Sequence, residues 1–312
     1  YDKAVAACQR ASRLKPDDKT LADEFKNLSA ELTMARGQYE TDGDFTKAIK
    51  NREQQEQLQA QSSVVKTENY RAKAVADARK KLAANPNEPT SILNLAEALS
   101  DLETDESDQK AINLLENAYK RTSNFTFKQH AGQLTSKRIR RKIRQAKAAI
   151  RANPNNAQAK KALEQLNAIL ARTELEHYRL CTENYPTDLQ AKYEYAVRLV
   201  RNKQYDQAIP LFQEALKDPR RKLQAQNQIG YCFYMKGWHA DAIDIFSEAI
   251  AAHQIKDDAI GKELRYNLAR AYESQGDSAK ALEVYRKIAQ TDFSYRDVSQ
   301  RVDKLRSEQK KE

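Results

Sequence analysis

Tyr205-Asp206-Gln207-Ala208-Ile209, continued by Phe212 and Ala215, is answered 34 residues later by His239-Ala240-Asp241-Ala242-Ile243, Phe246 and Ala249. Upstream of each copy a small residue stands at the same place, Ala196 in one and Gly230 in the other, and a large residue follows three positions on, Leu199 and Phe233. A third copy carries Leu268, Ala269, Tyr272, Gly276, Ala281 and Tyr285. Small side chains let two helix backbones approach closely, and large ones fill the space between layers. A lone helix pair cannot bury its own apolar face, so pairs repeated at this period stack and share a core.

The pattern resembles the tetratricopeptide repeat, of the bacterial multi-repeat type: two antiparallel helices per 34 residues with small and large residues at set offsets. The resemblance implies an all-α fold, a right-handed superhelical α-solenoid of antiparallel helix pairs. It also implies a binding scaffold rather than a catalyst. It is strong over about 185–292, moderate over 1–16 and 86–121, and weak over 37–70 and 122–184.

Composition agrees with that class. The chain has 312 residues, and Gly and Pro number only 7 each. No apolar run approaches the ~20 residues that cross a bilayer. Cys8, Cys181 and Cys232 are scattered and odd in number, which argues against a disulfide framework or a zinc site. The sequence Tyr1-Asp2-x-Ala4, with Cys8, Ala11 and Pro16, matches the second helix of a repeat without its first, so the chain is expected to be a fragment of a longer protein. A leader, anchor or catalytic part before Tyr1 would then be invisible, and a cytoplasmic location is only a default.

Three regions are expected. Residues 1–121 hold degenerate repeats beginning mid-repeat, with an amphipathic helix at 20–36 and a polar helix near 44–66. Residues 122–184 hold basic helices outside the repeat pattern, 126–152 and 155–184, the second either continuous or broken near Arg172-Thr173. Residues 185–312 hold three well-formed repeats (188–218, 222–252, 261–290) and a capping helix at 294–310 with a charged outer face (Arg296, Arg301, Lys304, Arg306). The pair 90–100 and 108–121 is expected to enclose an enlarged turn, Asp101 to Asp108. Pro210 is expected in or near the first turn of its helix, where a missing N–H costs little.

Charge is unevenly placed. The formal net charge is +10. Between Glu116 and Glu164 there are thirteen Lys and Arg and no carboxylate. The densest part is a helix in which Ile139, Ile143, Ala146 and Ile150 form an apolar stripe, with Arg140, Arg144, Lys147 and Arg151 in a parallel row one residue on. Lys137 and Arg141 extend this basic surface. Three readings compete: neutralisation by Asp101, Glu103, Asp105, Glu106 and Asp108 of the preceding turn, an acidic protein partner, or a polyanion such as nucleic acid or anionic lipid. No aromatic residue is interleaved with the basic helix to stack on bases.

The resemblance implies a second surface. In that family the first helix of each repeat lines a groove for a peptide or helix. Carried onto this chain, the groove positions include Tyr193, Val197, Asn227, Tyr231, Tyr234, Tyr266, Asn267 and Arg270. Tyrosine rings give contact area at low entropy cost, and amides can bond a peptide backbone. Family members that grip a chaperone's C-terminal carboxylate do so with Lys, Asn and Arg. Here Tyr193, Val197, Gln228, Glu263 and Asn267 stand at those places, which disfavours that mode. Catalysis, cofactor and metal binding have no motif behind them: His130, His177, His239 and His253 are scattered and there is no phosphate loop. His239 is expected to be structural and Trp238 a half-exposed contact residue. The expected function is therefore a non-catalytic protein–protein interaction scaffold or assembly subunit. The alternatives are a polyanion-binding adaptor acting through helix 137–151, and an accessory domain of a larger enzyme.

Overall fold

The computed structural model describes residues 4, 5, 7, 11, 19–36, 68–255 and 258–309. Among them the regular structure is helical: α1 (Lys19–Arg36), α2 (Glu68–Ala84), α3 (Pro89–Ser100), α4 (Asp105–Thr122), α5 (Phe125–Ala152), α6 (Ala157–Asn184), α7 (Leu189–Arg201), α8 (Tyr205–Ala215), α9 (Lys222–Met235), α10 (His239–Ala252), α11 (Ala259–Gln275), α12 (Ser278–Thr291) and α13 (Val298–Gln309). No helix among the described residues is long and apolar enough to cross a membrane. The chain divides into two compact units, Tyr1–Arg71 and Ala72–Glu312. In the first unit α1 is a single helix with Phe25 and Leu28 half-buried. The polar helix expected near 44–66, the loop 37–43, Cys8 and most of the expected half-repeat at 1–16 lie outside the described residues.

The second unit is an all-α solenoid. Each helix from α3 to α13 packs on its neighbours in sequence. Contacts that skip a helix join α3 to α5, α7 to α9 and α9 to α11. These are the first helices of successive hairpins. They stay within reach of one another while the second helices have no comparable contact, so the first helices form the tighter, inner layer.

Local chemistry sets the helix ends. The side chains of Asn124, Asn156, Asp188, Asp258 and Asp277 accept backbone N–H groups in the first turns of α5, α6, α7, α11 and α12. Each such cap is worth about 1 kcal/mol. At α4, Thr104 and Ser107 bond reciprocally, with Ser107 N donating to Thr104 Oγ1 at 3.1 Å. This shortens the turn expected at 101–108: Asp105, Glu106 and Asp108 belong to the first turn of α4, where carboxylates suit the positive end of the helix dipole. Gly276 ends α11 at φ 93°, a left-handed conformation that a side chain resists. α6 runs unbroken through Arg172 and Thr173. Pro210 stands farther inside than expected. α8 begins at Tyr205, so Pro210 is its sixth residue and withholds a helical N–H from the Asp206 carbonyl. The buried face of α8 carries the helix past it.

The repeat-defining side chains form the interior. Ala196, Ala208, Phe212, Ala242, Phe246, Ala269, Ala281 and Tyr285 are all fully buried. Gly230 has a specific reason: a Cβ there would lie 2.6 Å from Phe246 Cε1. Apolar clusters follow one another along the row, through α2–α5, α7–α9, α9–α11 and α11–α13. α13 closes the end with Val298, Val302 and Leu305. It starts at Val298 because residues 292–297 form turns, with Tyr295 N bonded to Asp292 O at 3.2 Å. Lys304 and Arg306 face outward. Arg301, expected on the outer face, instead donates to Glu273 at 2.5 Å and Asp297 at 2.9 Å.

The junction of α6 with α7 is different in kind. Here Glu174, His177 and Arg198 are buried. Glu174 accepts from Arg198 Nε at 3.2 Å and from Arg140 of α5, and Arg201 Nη1 stands 3.9 Å away. Arg198 also pairs with Glu194 and lies 4.4 Å from the centre of the Tyr178 ring. A charged joint thus interrupts the apolar row.

Candidate partner-binding wall

The inner layer over α7, α9 and α11 holds all eight groove positions expected from sequence, at two depths. Tyr193, Asn227, Tyr266 and Asn267 are buried in the joints between helices. Tyr193 stands edge-on to Phe212, ring centres 5.5 Å apart. Asn267 Nδ2 donates to Asn227 Oδ1 at 2.9 Å and ties α11 to α9. The Tyr266 hydroxyl donates to Asp297 Oδ1 at 2.6 Å. Burial pushes the Tyr193 and Tyr266 hydroxyls above the ordinary phenol range. These four residues build the wall rather than lie open on it. Their places on the helix point into the gap between adjacent first helices.

Val197, Tyr231, Tyr234 and Arg270 are half-buried and keep part of their surface. The Tyr234 hydroxyl accepts from Ser274 Oγ at 3.2 Å. The Arg270 guanidinium lies 4.6 Å from the centre of the Tyr234 ring and 5.9 Å from that of Tyr266. It makes no ion pair among the described residues.

Two further arginines join Arg270: Arg221, and Arg296, which was expected on the outer face of the capping helix but stands before that helix begins at Val298. Arg221 lies 4.8 Å from the ring centre of Tyr193, and Arg296 lies 4.7 Å from that of Tyr266. With Arg270 on Tyr234 they make a ladder: a tyrosine of one first helix is covered by an arginine of the next hairpin. Each exposed contact of this kind is worth about 0.5–1 kcal/mol. Arg221 and Arg296 sit in connections, at irregular distances from their tyrosines, so no repeat period announces them. Carboxylates balance these two, Glu194 to Arg221 at 3.7 Å and Glu263 to Arg296 at 3.5 Å. Arg270 is the rung left unbalanced.

At the edge of the wall Trp238 is half exposed, with Lys236 Nζ 4.1 Å from its ring centre. His239 packs against Tyr234, ring centres 5.3 Å apart.

The basic helix divides in two. Its first half is neutralised by the preceding hairpin. Lys137 meets Asp101 at 3.4 Å, Arg138 meets Asp105 at 3.4 Å, and Lys142 meets Asp105 at 3.0 Å. Arg141 meets Asp105 at 2.8 Å and Asp108 at 2.7 Å. The Lys142 ammonium and Arg141 guanidinium hold the Asp105 carboxyl below the ordinary carboxylate range. Arg140 is taken by Glu174, whereas Glu106 turns to its own Lys110 at 2.6 Å. Arg144, Lys147 and Arg151 are exposed and make no ion pair among the described residues.

Stacked antiparallel hairpins with their first helices on the inside define a helical-repeat solenoid. Within that class, family models of the tetratricopeptide repeat match residues 193–254 and 264–299, and the chain carries tetratricopeptide repeats there. Proteins that bear such repeats generally act as scaffolds. No curated protein matches the sequence. Similar solved structures include YrrB, described as a tetratricopeptide-repeat protein with an unusual peptide-binding site, at 16% identity over 73% of this chain and 98% of that one, TM-score 0.47. Another is BtubC from P. vanneervenii, at 17% identity over 72% of this chain and 90% of that one, TM-score 0.45. A third is a tetratricopeptide repeat protein from Parabacteroides merdae, at 13% identity over 76% of this chain and 92% of that one, TM-score 0.38.

Proposed function

We propose that the chain is a non-catalytic scaffold that holds a peptide or helix of a protein partner against the inner wall of α7, α9 and α11. The observation that carries this reading is Arg270. A guanidinium stacked on Tyr234, with Tyr266 beside it and no carboxylate of its own, offers planar N–H donors to a guest. Half-buried Val197, Tyr231 and Tyr234 supply apolar area around it. The buried Asn227–Asn267 bond holds the two helices in register, so little order has to be gained on binding.

The test is purification of the full-length protein with its partner, followed by a Tyr231→Ala/Tyr234→Ala double variant. Losing two aromatic anchors should weaken binding by about a hundredfold, taking ~1.4 kcal/mol for each ring. The complex should survive moderate salt, because ring contacts are not screened. A complex that keeps its affinity in the double variant and dissolves in salt contradicts this reading.

A further inference from the structure

α5 and α6 are each 28 residues long, while α4 has 18 and α7 has 13. The hairpin must therefore outreach its neighbours, and the ion pairs show where. The first residue of α4, Asp105, meets Arg138, Arg141 and Lys142 of α5. The last turn of α7 meets Glu174 of α6 through Arg198 and Arg201. Burial stops at the same levels: the last buried residue of α5 is Ile143, and the first of α6 is Glu174. Beyond these levels, at 144–152 and 157–173, no side chain is buried and no ion pair reaches α4 or α7 among the described residues. At ~1.5 Å per residue these stretches form an arm of about 14 Å on α5 and about 25 Å on α6.

The arm is cationic. Arg144, Lys147, Arg151, Lys160, Lys161 and Arg172 are exposed on it, and Glu164 is its only carboxylate. None of the six cations makes an ion pair among the described residues. Arg144, Lys147 and Arg151 continue the line of Arg140, which is bound to Glu174 on the side where α7 packs. Helical spacing puts Lys160 and Asn167 of α6 on that same side. The seat of α7 thus runs on past Arg201 with its carboxylate gone and its cations kept.

We propose that this face of the arm is a docking site for an acidic helical segment of a protein partner, laid along the row as a continuation of the line of α7. The row has the rise of an α-helix, so of carboxylates at i, i+4, i+7 and i+11 of a guest helix three in succession can meet Arg144, Lys147 and Arg151 one to one. Arginine favours this match because its fork bonds a carboxylate at two points. Nucleic acid fits less well: between His130 and His177 there is no aromatic side chain to stack on a base. A lipid surface fits less well too, because Lys160 and Asn167 are exposed on this side while its apolar groups, Leu163 and Leu170, are half-buried between them. The site is separate from the wall of α7, α9 and α11 and does not depend on it.

The test uses the full chain and four probes. They are a fluorescent alanine-based peptide with Glu at i, i+4, i+7 and i+11, an isomer with the same residues scattered, a single-stranded oligothymidine, and vesicles of phosphatidylserine and phosphatidylcholine. Binding of peptides and oligonucleotide is read by anisotropy, and binding of vesicles by co-sedimentation. The striped peptide should bind, the scattered isomer at least about fivefold more weakly. Arg144→Glu/Lys147→Glu/Arg151→Glu should weaken the striped peptide by at least about tenfold. Tyr231→Ala/Tyr234→Ala should leave it unchanged. The milder Arg144→Ala/Lys147→Ala/Arg151→Ala, which keeps the helix propensity of α5, should weaken it in the same direction with an unchanged circular dichroism melt. Failure of the striped peptide to bind, equal binding by the variants, or tighter row-dependent binding of oligothymidine or vesicles overturns the proposal.

Discussion

Replacing Glu174 by Gln tests whether the charged joint between α6 and α7 holds the two parts of the row together. The carboxylate is buried and accepts from Arg198 Nε at 3.2 Å and from Arg140, with Arg201 at 3.9 Å. Removing one partner of a buried ion pair costs about 3–5 kcal/mol, because the other charge stays buried without compensation. Two features reduce that figure here. Arg198 keeps Glu194, and the Arg140 side chain is half exposed. A loss of about 2–3 kcal/mol remains, roughly 5–10 °C in melting temperature for a unit of this size. In a stacked array the damage is local, so hydrogen exchange should quicken across α6 and α7 and much less across α11 and α12. Exchange read by mass spectrometry, beside a calorimetric melt, checks both parts. The pair Glu174→Leu/Arg198→Met should recover much of the loss, because a buried pair replaced whole by apolar groups is often neutral. If Glu174→Gln costs under about 0.5 kcal/mol, the size of an ordinary surface change, the joint does not hold the two parts of the row together.

Gly230→Ala should destabilise by about 1–3 kcal/mol in a thermal melt, since the added methyl meets the fully buried ring of Phe246 at 2.6 Å. His177 is held below its ordinary value of 6.5, first by burial and then by the nearby Arg198 charge. The unfolded chain therefore takes up that proton more readily, and the stability that neutral His177 contributes above about pH 6.5 is lost as pH falls. The melting temperature should drop between pH 7 and pH 5 more steeply in the wild type than in His177→Gln, and parallel curves would exclude this role. Burial raises the Cys181 thiol to about 11 and the Cys232 thiol to about 12. Maleimide labelling at pH 7 should therefore spare both until denaturant is added, as peptide mass mapping can read.

Much of the fold was legible because its rules are periodic. Ala208, Phe212, Ala242 and Phe246 recur at one spacing, and the stack places every one of them in the interior. The long helices of 122–184 were legible as helices, since nothing in them breaks a helix before Pro154. Depth was not legible. The helical pattern gives the side of a residue but not the distance to the next helix, so Tyr193 and Tyr234 read alike although one is buried and the other half open. Pairings between distant segments were hidden as well. Glu174 finds Arg140 across 34 residues and Arg198 across 24, and no motif links them. The basic helix shows both limits. Its charges were plain, and so were the carboxylates of the preceding turn. Only the heights of the helices decide that Lys137 to Lys142 are met and Arg144 to Arg151 are not.

The inner wall can be tested most directly by site-specific photocrosslinking in the full-length protein within its own cells. A benzophenone side chain would replace Tyr234 on the wall or Asp244 on the exposed face of α10, one at a time. Crosslinks to a single partner from position 234 and none from position 244 are predicted. Crosslinks from position 244 alone, or equally from both, would contradict the account.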